Sequence, residues 1–241
     1  MSVSSATFSI PQGRLACPIR SGVISCEGIP YGQPLRWRDP LPAAPWPKAT
    51  TLDTDAPGQC CTAGEDCLYL NVYVPAGASA QAQTQQQQSP PLATMAFIHG
   101  GAYVEGCGSD YAGDDLVRRS AALGAPVVAV TLNYRLGALG FLGGEALRSR
   151  AGGGTGNFGL ADQRMALAWV RNNIGAFGGD GGRLTIFGES AGAASVSCHV
   201  TSAASAGLFD RAIIESGAFQ RWNAMPAAYA QTQFEMFASA V

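Results

Sequence analysis

A serine with a glycine two positions away on each side is the strongest chemical signal in the sequence. The pentapeptide GESAG, residues 188–192, lies between residues 184–187, which predict a strand, and residues 191–200, which predict a helix. A sharp strand-to-helix turn holds the serine, Ser190, in a strained conformation that projects its hydroxyl, and the flanking glycines let strand and helix approach closely. The helix N-terminus and the Ala191 N–H can then stabilise a developing oxyanion. The pattern predicts a nucleophile, although five residues alone are a weak signal.

A second glycine-rich segment supports this prediction. His99, Gly100, Gly101 and Ala102 follow directly after an apolar stretch, residues 93–98, that predicts a buried strand. Glycines allow the main chain to turn several N–H groups toward one point. Removing one such donor from an oxyanion site typically costs roughly 100- to 1000-fold in rate, so the segment is as much a catalytic part as the serine.

The sequence does not offer the partners that a nucleophilic serine needs, namely a base and an acid that orients it. The 51 residues after Ser190 contain one histidine, His199. On a helix starting at Ala191, His199 lies roughly 13 Å along the axis, out of reach of the hydroxyl. His99 precedes the oxyanion glycines and is a weak substitute base. Asp210 and Glu215 flank a predicted strand and have no histidine to orient.

Alternation of apolar runs with helical patterns predicts the fold class. Apolar runs rich in β-branched residues and separated by helices are typical of an α/β protein with a mostly parallel sheet and helices on both faces. The predicted strands cover residues 68–74, 93–98, 126–132, 184–187 and 211–215, and the predicted helices cover residues 114–122, 159–174 and 191–200.

The N-terminal region predicts an antiparallel hairpin. Residues 14–31 alternate around Ser21-Gly22, which suits a two-residue turn. Counting outward from the turn places Cys17 opposite Cys26, so either a cross-strand disulfide or two buried thiols is consistent with the pattern, and Pro18 weakens the case for the bridge. The chain has seven cysteines, an odd number, so at least one thiol should be free.

Two other stretches lack periodicity. Residues 33–60 hold six prolines and are predicted to be a long irregular segment. Residues 77–91 form a low-complexity polar stretch, predicted to be a disordered surface loop between neighbouring strands rather than a domain linker.

Composition excludes some function classes. The 241 residues carry a net charge of -2, with 15 basic residues set against 17 acidic ones, so a nucleic-acid binder is not expected. No apolar run reaches the roughly 18 residues that a transmembrane helix needs. The N-terminus shows no secretory signal pattern, which leaves a cytoplasmic location open and the compartment unknown.

Long, ordered motifs give the sequence a family resemblance. They include FIHGGAYVEG, NYRLGALGFL and FGGDGGRLTIFGESAG, and the matching stretches are residues 28–31, 36–37, 65–75, 97–106, 133–142, 156–180 and 187–196. In these motifs the chain resembles the type-B carboxylesterase/lipase family, which includes cholinesterases and the non-enzymatic neuroligins. The resemblance implies an α/β-hydrolase fold and hydrolysis of small carboxylic esters through an acyl-enzyme, with no metal and no other cofactor.

The resemblance also assigns roles to site residues. Ser190 is implied as the nucleophile, and the oxyanion hole is implied as the N–H groups of Gly101, Ala102 and Ala191. Ala102 stands where the family often has a third glycine, and its methyl group would trim the acyl pocket. Glu189 matches a buried acid that supports the site electrostatically, with an ordinary core carboxylate as the alternative.

Structural pairs follow from the same resemblance. Buried ion pairs are implied between Arg36 and Glu65 and between Arg135 and Asp162, and a disulfide is implied between Cys67 and either Cys60 or Cys61.

The length of the chain leads to an expectation about how much of the domain it contains. Family members are about twice as long as this chain, so residues 1–241 are interpreted as the N-terminal portion of a single α/β-hydrolase domain, truncated before the catalytic acid and histidine and dependent on a missing C-terminal half. The last strand should then present an unpaired apolar edge. The alternative function is a catalytically inactive fragment or a neuroligin-like binding module.

Overall fold

The computed structural model describes residues 4–77, 90–150, 154–218 and 224–240. Most of the predicted low-complexity loop, residues 78–89, lies outside the described residues. The strands are β1 (Ser5–Ile10), β2 (Gly13–Arg20), β3 (Val23–Pro30), β4 (Gly32–Leu35), β5 (Arg38–Pro42), β6 (Thr51–Asp53), β7 (Tyr69–Pro75), β8 (Leu92–Ile98), β9 (Val127–Leu132), β10 (Gly179–Glu189) and β11 (Arg211–Glu215).

Helices alternate with the later strands, as the sequence predicts. The helices are α1 (Asp114–Ala122), α2 (Gly137–Phe141), α3 (Glu145–Arg150), α4 (Phe158–Asn173), α5 (Ala191–Thr201) and α6 (Ala227–Ala240), and short 3-10 turns cover Gly108–Tyr111, Ile174–Phe177 and Ala203–Ser205. Among the described helices, none is both long and apolar enough to span a bilayer.

One large mixed sheet organises the chain. Its strand order is β1-β2-β3-β7-β9-β8-β10-β11, with β6 beside β2, while β4 and β5 form a separate hairpin. Strand β8 pairs in parallel with both β9 and β10, and β10 pairs in parallel with β11. The carboxyl ends of β8 and β10 therefore meet at one edge of the sheet, where Ile98 is in register with Gly188.

Helices cover both faces of this sheet. The larger core cluster combines sheet residues such as Ile98 and Ile186 with Val170 of α4 and Val196 of α5. The smaller cluster packs Val117 of α1 against three sheet residues, Val23, Tyr73 and Ala129. The predicted α/β class, with helices on both faces and an N-terminal antiparallel hairpin, is confirmed.

The N-terminal hairpin has the predicted two-residue turn. Ser21 and Gly22 both have positive φ, at 48° and 78°, as a type I′ turn requires. Strands β2 and β3 pair in the register counted from that turn, Arg20 with Val23. Cys17 and Cys26 form a disulfide across the hairpin, with their Cα atoms 4.8 Å apart.

The prediction for residues 33–60 is wrong in part. This segment contains most of β4 and all of β5 and β6 rather than being irregular throughout. Three of its six prolines, Pro34, Pro40 and Pro42, lie in a two-stranded hairpin, where a missing N–H can face away from the partner strand. The hairpin is pinned to α2 because the Trp37 indole N–H donates to the Ala138 carbonyl at 3.0 Å.

The C-terminal elements are the least covered. Every residue of β11 is exposed, and Ile213 and Ile214 keep 42% and 41% of their surface accessible. Among the residues of α6 that the structure describes, none is buried. No strand among the described residues pairs with the outer side of β11, so the apolar edge expected from the sequence is present there.

Candidate active site

Ser190 occupies the junction between β10 and α5 in a strained conformation. Its backbone angles are φ 55° and ψ -119°. L-residues rarely adopt this conformation, and those that do are concentrated at functional sites. The side chain is partly buried. The Ser190 N–H donates to the Glu215 carbonyl at 3.0 Å, so the end of β11 holds the turn in place.

The two glycines of the pentapeptide make the turn possible. A Cβ atom on Gly192 would lie 2.0 Å from the Ile98 carbonyl oxygen, and one on Gly188 would lie 2.6 Å from the Gly192 carbonyl carbon. Both distances are far below van der Waals contact, and both neighbours are backbone. The first turn of α5 therefore packs directly on the end of β8, as the pattern predicts.

The segment after β8, residues 100–106, is called the oxyanion loop below. Gly101, Ala102 and Tyr103 have positive φ values of 101°, 52° and 63°, and the Gly101 carbonyl accepts hydrogen bonds from Val104 and Glu105. A Cβ atom on Gly100 would lie 3.3 Å from the Ser190 Cβ. The structure thus brings the oxyanion loop against the serine.

Three amides in this region are unused. Within the described chain, no acceptor is bonded to the N–H groups of Gly101, Ala102 or Ala191. Ala191 is the first residue of α5, where helix geometry leaves the N–H without an intrahelical partner and the helix dipole favours negative charge. These donors can bind an oxyanion without first breaking another hydrogen bond.

His99 supports the oxyanion loop. It is 1% exposed, its ring stacks on Tyr134 at 4.4 Å between centroids, and the Tyr134 hydroxyl donates to the His99 carbonyl at 2.8 Å. Its Nδ1 lies 2.8 Å from the Gly100 carbonyl and must therefore carry the proton. Burial lowers the pKa of His99. Nε2 has no partner in the part of the chain that the structure describes.

His199 is held by other residues and is not placed as a base. Its Nε2 donates to Gln163 Oε1 at 2.9 Å, and its Nδ1 accepts from the Ser205 hydroxyl at 2.9 Å. Burial lowers its pKa to about 4, so it is neutral near pH 7. The hydrogen bonds continue from Gln163 to the Ser195 hydroxyl at 3.1 Å and from Ser195 to the Tyr103 hydroxyl at 3.3 Å.

Asp210 and Glu189 are two of the acidic residues considered from the sequence. Asp210 accepts the Leu184 N–H at 2.9 Å and pairs with Arg171, and these contacts lower the pKa of Asp210. Glu189 is exposed, so the expectation of a buried acid beside the nucleophile is wrong for this chain. One of its carboxylate oxygens would lie 3.2 Å from a Cβ on Gly100, which places it beside the oxyanion loop.

The two implied ion pairs differ in burial. Arg135 and Asp162 are both 0% exposed, joined by bonds of 2.6 and 2.8 Å, and the guanidinium also donates to two backbone carbonyls of the β4–β5 hairpin. Arg36 and Glu65 approach to 3.0 Å, but their side chains are 64% and 21% exposed. The expectation of a buried pair at Arg36 is therefore wrong, because the β4–β5 hairpin carries this side chain at the surface.

The cysteines form three bridges. Cys61 pairs with Cys67, and Cys60 pairs with Cys107, while Cys198 is free and partly buried. Sequence reasoning missed the bridge to Cys107, which spans 47 residues, since no local pattern indicates so distant a partner. Among the described residues, no group of three or more His, Cys, Asp or Glu side chains could hold a metal ion.

The serine lies on a strand-to-helix turn at the carboxyl edge of parallel strands, and it faces a loop whose Gly101 and Ala102 amides have no acceptor among the described residues. This arrangement defines the α/β-hydrolase class of fold. The chain belongs to the carboxylesterase family, whose family model matches residues 9–241. It is 43% identical over 210 residues to a juvenile hormone esterase of Tribolium castaneum, covering 81% of this chain and 32% of that protein.

Bacterial relatives extend the likeness to solved structures. The chain is 39% identical over 225 residues to a para-nitrobenzyl esterase of Bacillus subtilis (strain 168), covering 86% of this chain and 42% of that protein. A solved PNB esterase superimposes with a TM-score of 0.83 at 38% identity, over 98% of this chain and 48% of that one. The chain thus spans half or less of the length of these relatives.

Proposed function

We propose that this chain carries the nucleophile and the oxyanion hole of a serine carboxylesterase. The observation that supports the proposal most is the combination of Ser190 in a strained turn with three unbonded N–H groups beside it, those of Gly101, Ala102 and Ala191. Ala191 is buried, and an unpaired buried N–H is costly, so a structural turn alone gives no reason to leave this donor without an acceptor, whereas Gly101 is partly buried and Ala102 exposed, which leaves their N–H groups accessible to a ligand.

In the proposed reaction, Ser190 Oγ attacks the carbonyl carbon of an ester and loses its proton to a base. The carbonyl electron pair moves onto oxygen, and the N–H groups of Gly101, Ala102 and Ala191 stabilise the resulting oxyanion. Collapse breaks the ester C–O bond, the protonated base returns its proton to the leaving oxygen, and the alcohol departs while the acyl group stays on Ser190. Water then repeats the sequence at the acyl carbon and releases the acid. None of these steps draws on a metal or an organic cofactor.

We infer that the base and its orienting acid are supplied by residues outside these 241. In the chain itself, His199 has both ring nitrogens bonded to other side chains, and His99 has a proton fixed on Nδ1 by Gly100. The limited coverage of the relatives supports the same inference, as do the exposed surfaces of β11 and α6, which are suited to a packing partner.

The proposed substrates are small, uncharged carboxylic esters. The relatives are named as esterases, and Glu105 is the one charged residue of the oxyanion loop, residues 100–106. The Ala102 methyl group stands on the loop that would face the acyl group, which favours a compact acyl chain over a bulky one.

A fluorophosphonate probe tests the proposal because it reacts with activated serine hydroxyls. We expect little or no labelling of residues 1–241 alone, and labelling at Ser190 when the chain is joined to a continuation that supplies acid and histidine. Such a protein should hydrolyse a short p-nitrophenyl ester, and Ser190→Ala should abolish turnover. Serine to alanine at Ser202, partly buried at the end of α5, is the matched control. Turnover that survives Ser190→Ala contradicts the proposal.

The second candidate function is a catalytically silent binding module. The exposed β11 edge and the largely exposed α6 favour it, because unpaired edges and apolar patches recruit other chains. It predicts that Ser190→Ala leaves partner binding unchanged and that no ester is hydrolysed even when a continuation is present.

A further inference from the structure

The Cys60–Cys107 bridge fastens the end of the oxyanion loop. Cys107 directly follows this loop, residues 100–106, and its partner lies 47 residues earlier in the chain. We infer that the Cys60–Cys107 disulfide, together with the Asn133 side chain, is a positioning device that holds the Gly101 and Ala102 amides in place for reaction at Ser190. Its role in catalysis rests on the proposed function, whereas its effect on the loop does not.

Asn133 holds the residues that flank the bridge. Its Oδ1 accepts the Gly108 N–H at 2.8 Å, and its Nδ2 donates to the Gln59 carbonyl at 3.0 Å. Asn133 follows directly after β9, and its own N–H donates to the Tyr69 carbonyl at 3.0 Å. One side chain anchored on the sheet therefore binds the residue after Cys107 and the residue before Cys60.

The other end of the loop is fixed independently. Gly100 follows β8 and His99, and the stacked Tyr134 ring together with its hydrogen bond holds His99. In the middle, the Gly137 N–H donates to the Tyr103 carbonyl at 2.7 Å. Gly101, Ala102 and Tyr103 all have positive φ, and a positive φ costs a residue other than glycine of order 1–3 kcal/mol. Such a loop keeps its shape only if the surrounding structure fixes it.

The bridge continues into the next disulfide. Cys60 is adjacent to Cys61, which pairs with Cys67 just before β7. The oxyanion loop is thus joined covalently, through two neighbouring bridges, to the beginning of a central strand. Preorganised donors must stay within about 0.5 Å of their productive positions, which this cross-linking favours.

Reduction would release the end of the loop. A dithiol reductant gives two electrons and two protons to the bridge, so that the Cys60–Cys107 S–S bond breaks, two thiols form and the reductant becomes a cyclic disulfide. Cys107 is 3% exposed, whereas Cys60 is only partly buried, so the attack takes place at the Cys60 sulfur.

Hydrogen exchange on the oxidised protein tests the inference. Replacing both cysteines with serine, Cys60→Ser with Cys107→Ser, should make the hydrogen-bonded loop amides, those of Val104 and Glu105, exchange at least about tenfold faster, while amides of β8 and β10 are unchanged. The matched control, Cys17→Ser with Cys26→Ser, removes the hairpin bridge and should leave residues 101–106 as in the unmodified protein.

Two further measurements keep the inference falsifiable if the variant folds poorly. Dithiothreitol treatment of the unmodified protein, with alkylation and mass spectrometry to identify the opened bridge, should reproduce the faster exchange, and reoxidation should reverse it. In a protein with the continuation, opening the bridge should lower kcat about 100-fold with KM unchanged, since a misplaced oxyanion donor acts in the transition state.

The outcomes separate the two proposals. Faster loop exchange without any ester turnover supports the positioning role on the loop and contradicts the proposed function. Loop exchange within twofold of the unmodified protein after the bridge opens, or an equal change in the hairpin control, overturns the inference. Non-reducing peptide mapping that finds Cys60 and Cys107 as free thiols overturns it as well.

Discussion

Replacing Gly192 with alanine is the most direct test of how the serine turn is built. The new methyl group would lie 2.0 Å from the Ile98 carbonyl oxygen, 2.9 Å from the Ile98 carbonyl carbon and 3.0 Å from the His99 carbonyl carbon. All three atoms are backbone atoms of β8 and the residue after it, so no side-chain rotation can relieve the contact. Helix α5 must move away from β8.

The expected cost follows from the geometry. Overpacking by one methyl group costs typically 1–3 kcal/mol, and a contact with rigid backbone belongs at the upper end, so we expect Gly192→Ala to lower the free energy of unfolding by about 3 kcal/mol. For a chain of this size each kcal/mol corresponds to roughly 2–4 °C, which gives a Tm about 6–12 °C lower.

Urea unfolding at neutral pH under non-reducing conditions measures this change. Gly175→Ala is the control, because Gly175 is exposed and a Cβ there meets nothing within 4 Å. We expect the control to lie within about 0.5 kcal/mol of the unmodified protein. If Gly192→Ala matches the control, the close approach of α5 to β8 is not what shapes the turn.

Three further predictions concern charge and exposure. The folded-state pKa of His199 is about 4 and its ordinary value is about 6.5, so its contribution to the free energy of unfolding is present above pH 6.5 and falls by roughly 3 kcal/mol as the pH drops to 4. His199→Gln should remove this dependence in unfolding measured against pH, and a dependence that persists would assign it to other groups. Asp162→Asn should cost about 3–5 kcal/mol in the same assay because it leaves the Arg135 charge buried without its carboxylate, and a cost below 1 kcal/mol would show that water reaches the pair. Ile214→Lys should reduce concentration-dependent association in sedimentation velocity, since it places a charge on the apolar edge strand; unchanged association would mean that another surface drives it.

Local patterns were enough to predict much of the fold. The hairpin turn, the helix Asp114–Ala122 and the strand Arg211–Glu215 match the predictions residue for residue. The serine turn also lies where the sequence predicts it, because strand, glycines and helix follow one another within a few residues, although strand β10 is longer than the predicted residues 184–187. In each case the signal and the structure it specifies are close together in the chain.

The remainder depends on contacts that no local pattern encodes. Strands β4 and β5 form despite three prolines, because they pair only with each other and leave outer N–H positions unused. The Cys60–Cys107 bridge and the exposure of Arg36 are set by how distant segments pack.

The hydrogen bond from the Ser190 N–H to the Glu215 carbonyl links assembly to chemistry. Glu215 ends β11, the edge strand among the described strands, and all of its residues are exposed, so a segment that docks on β11 would contact the strand that binds the Ser190 peptide group. Completion of the sheet would stiffen that peptide group. If Ser190 acts as proposed, its reactivity would then depend on whether β11 is paired on its outer side.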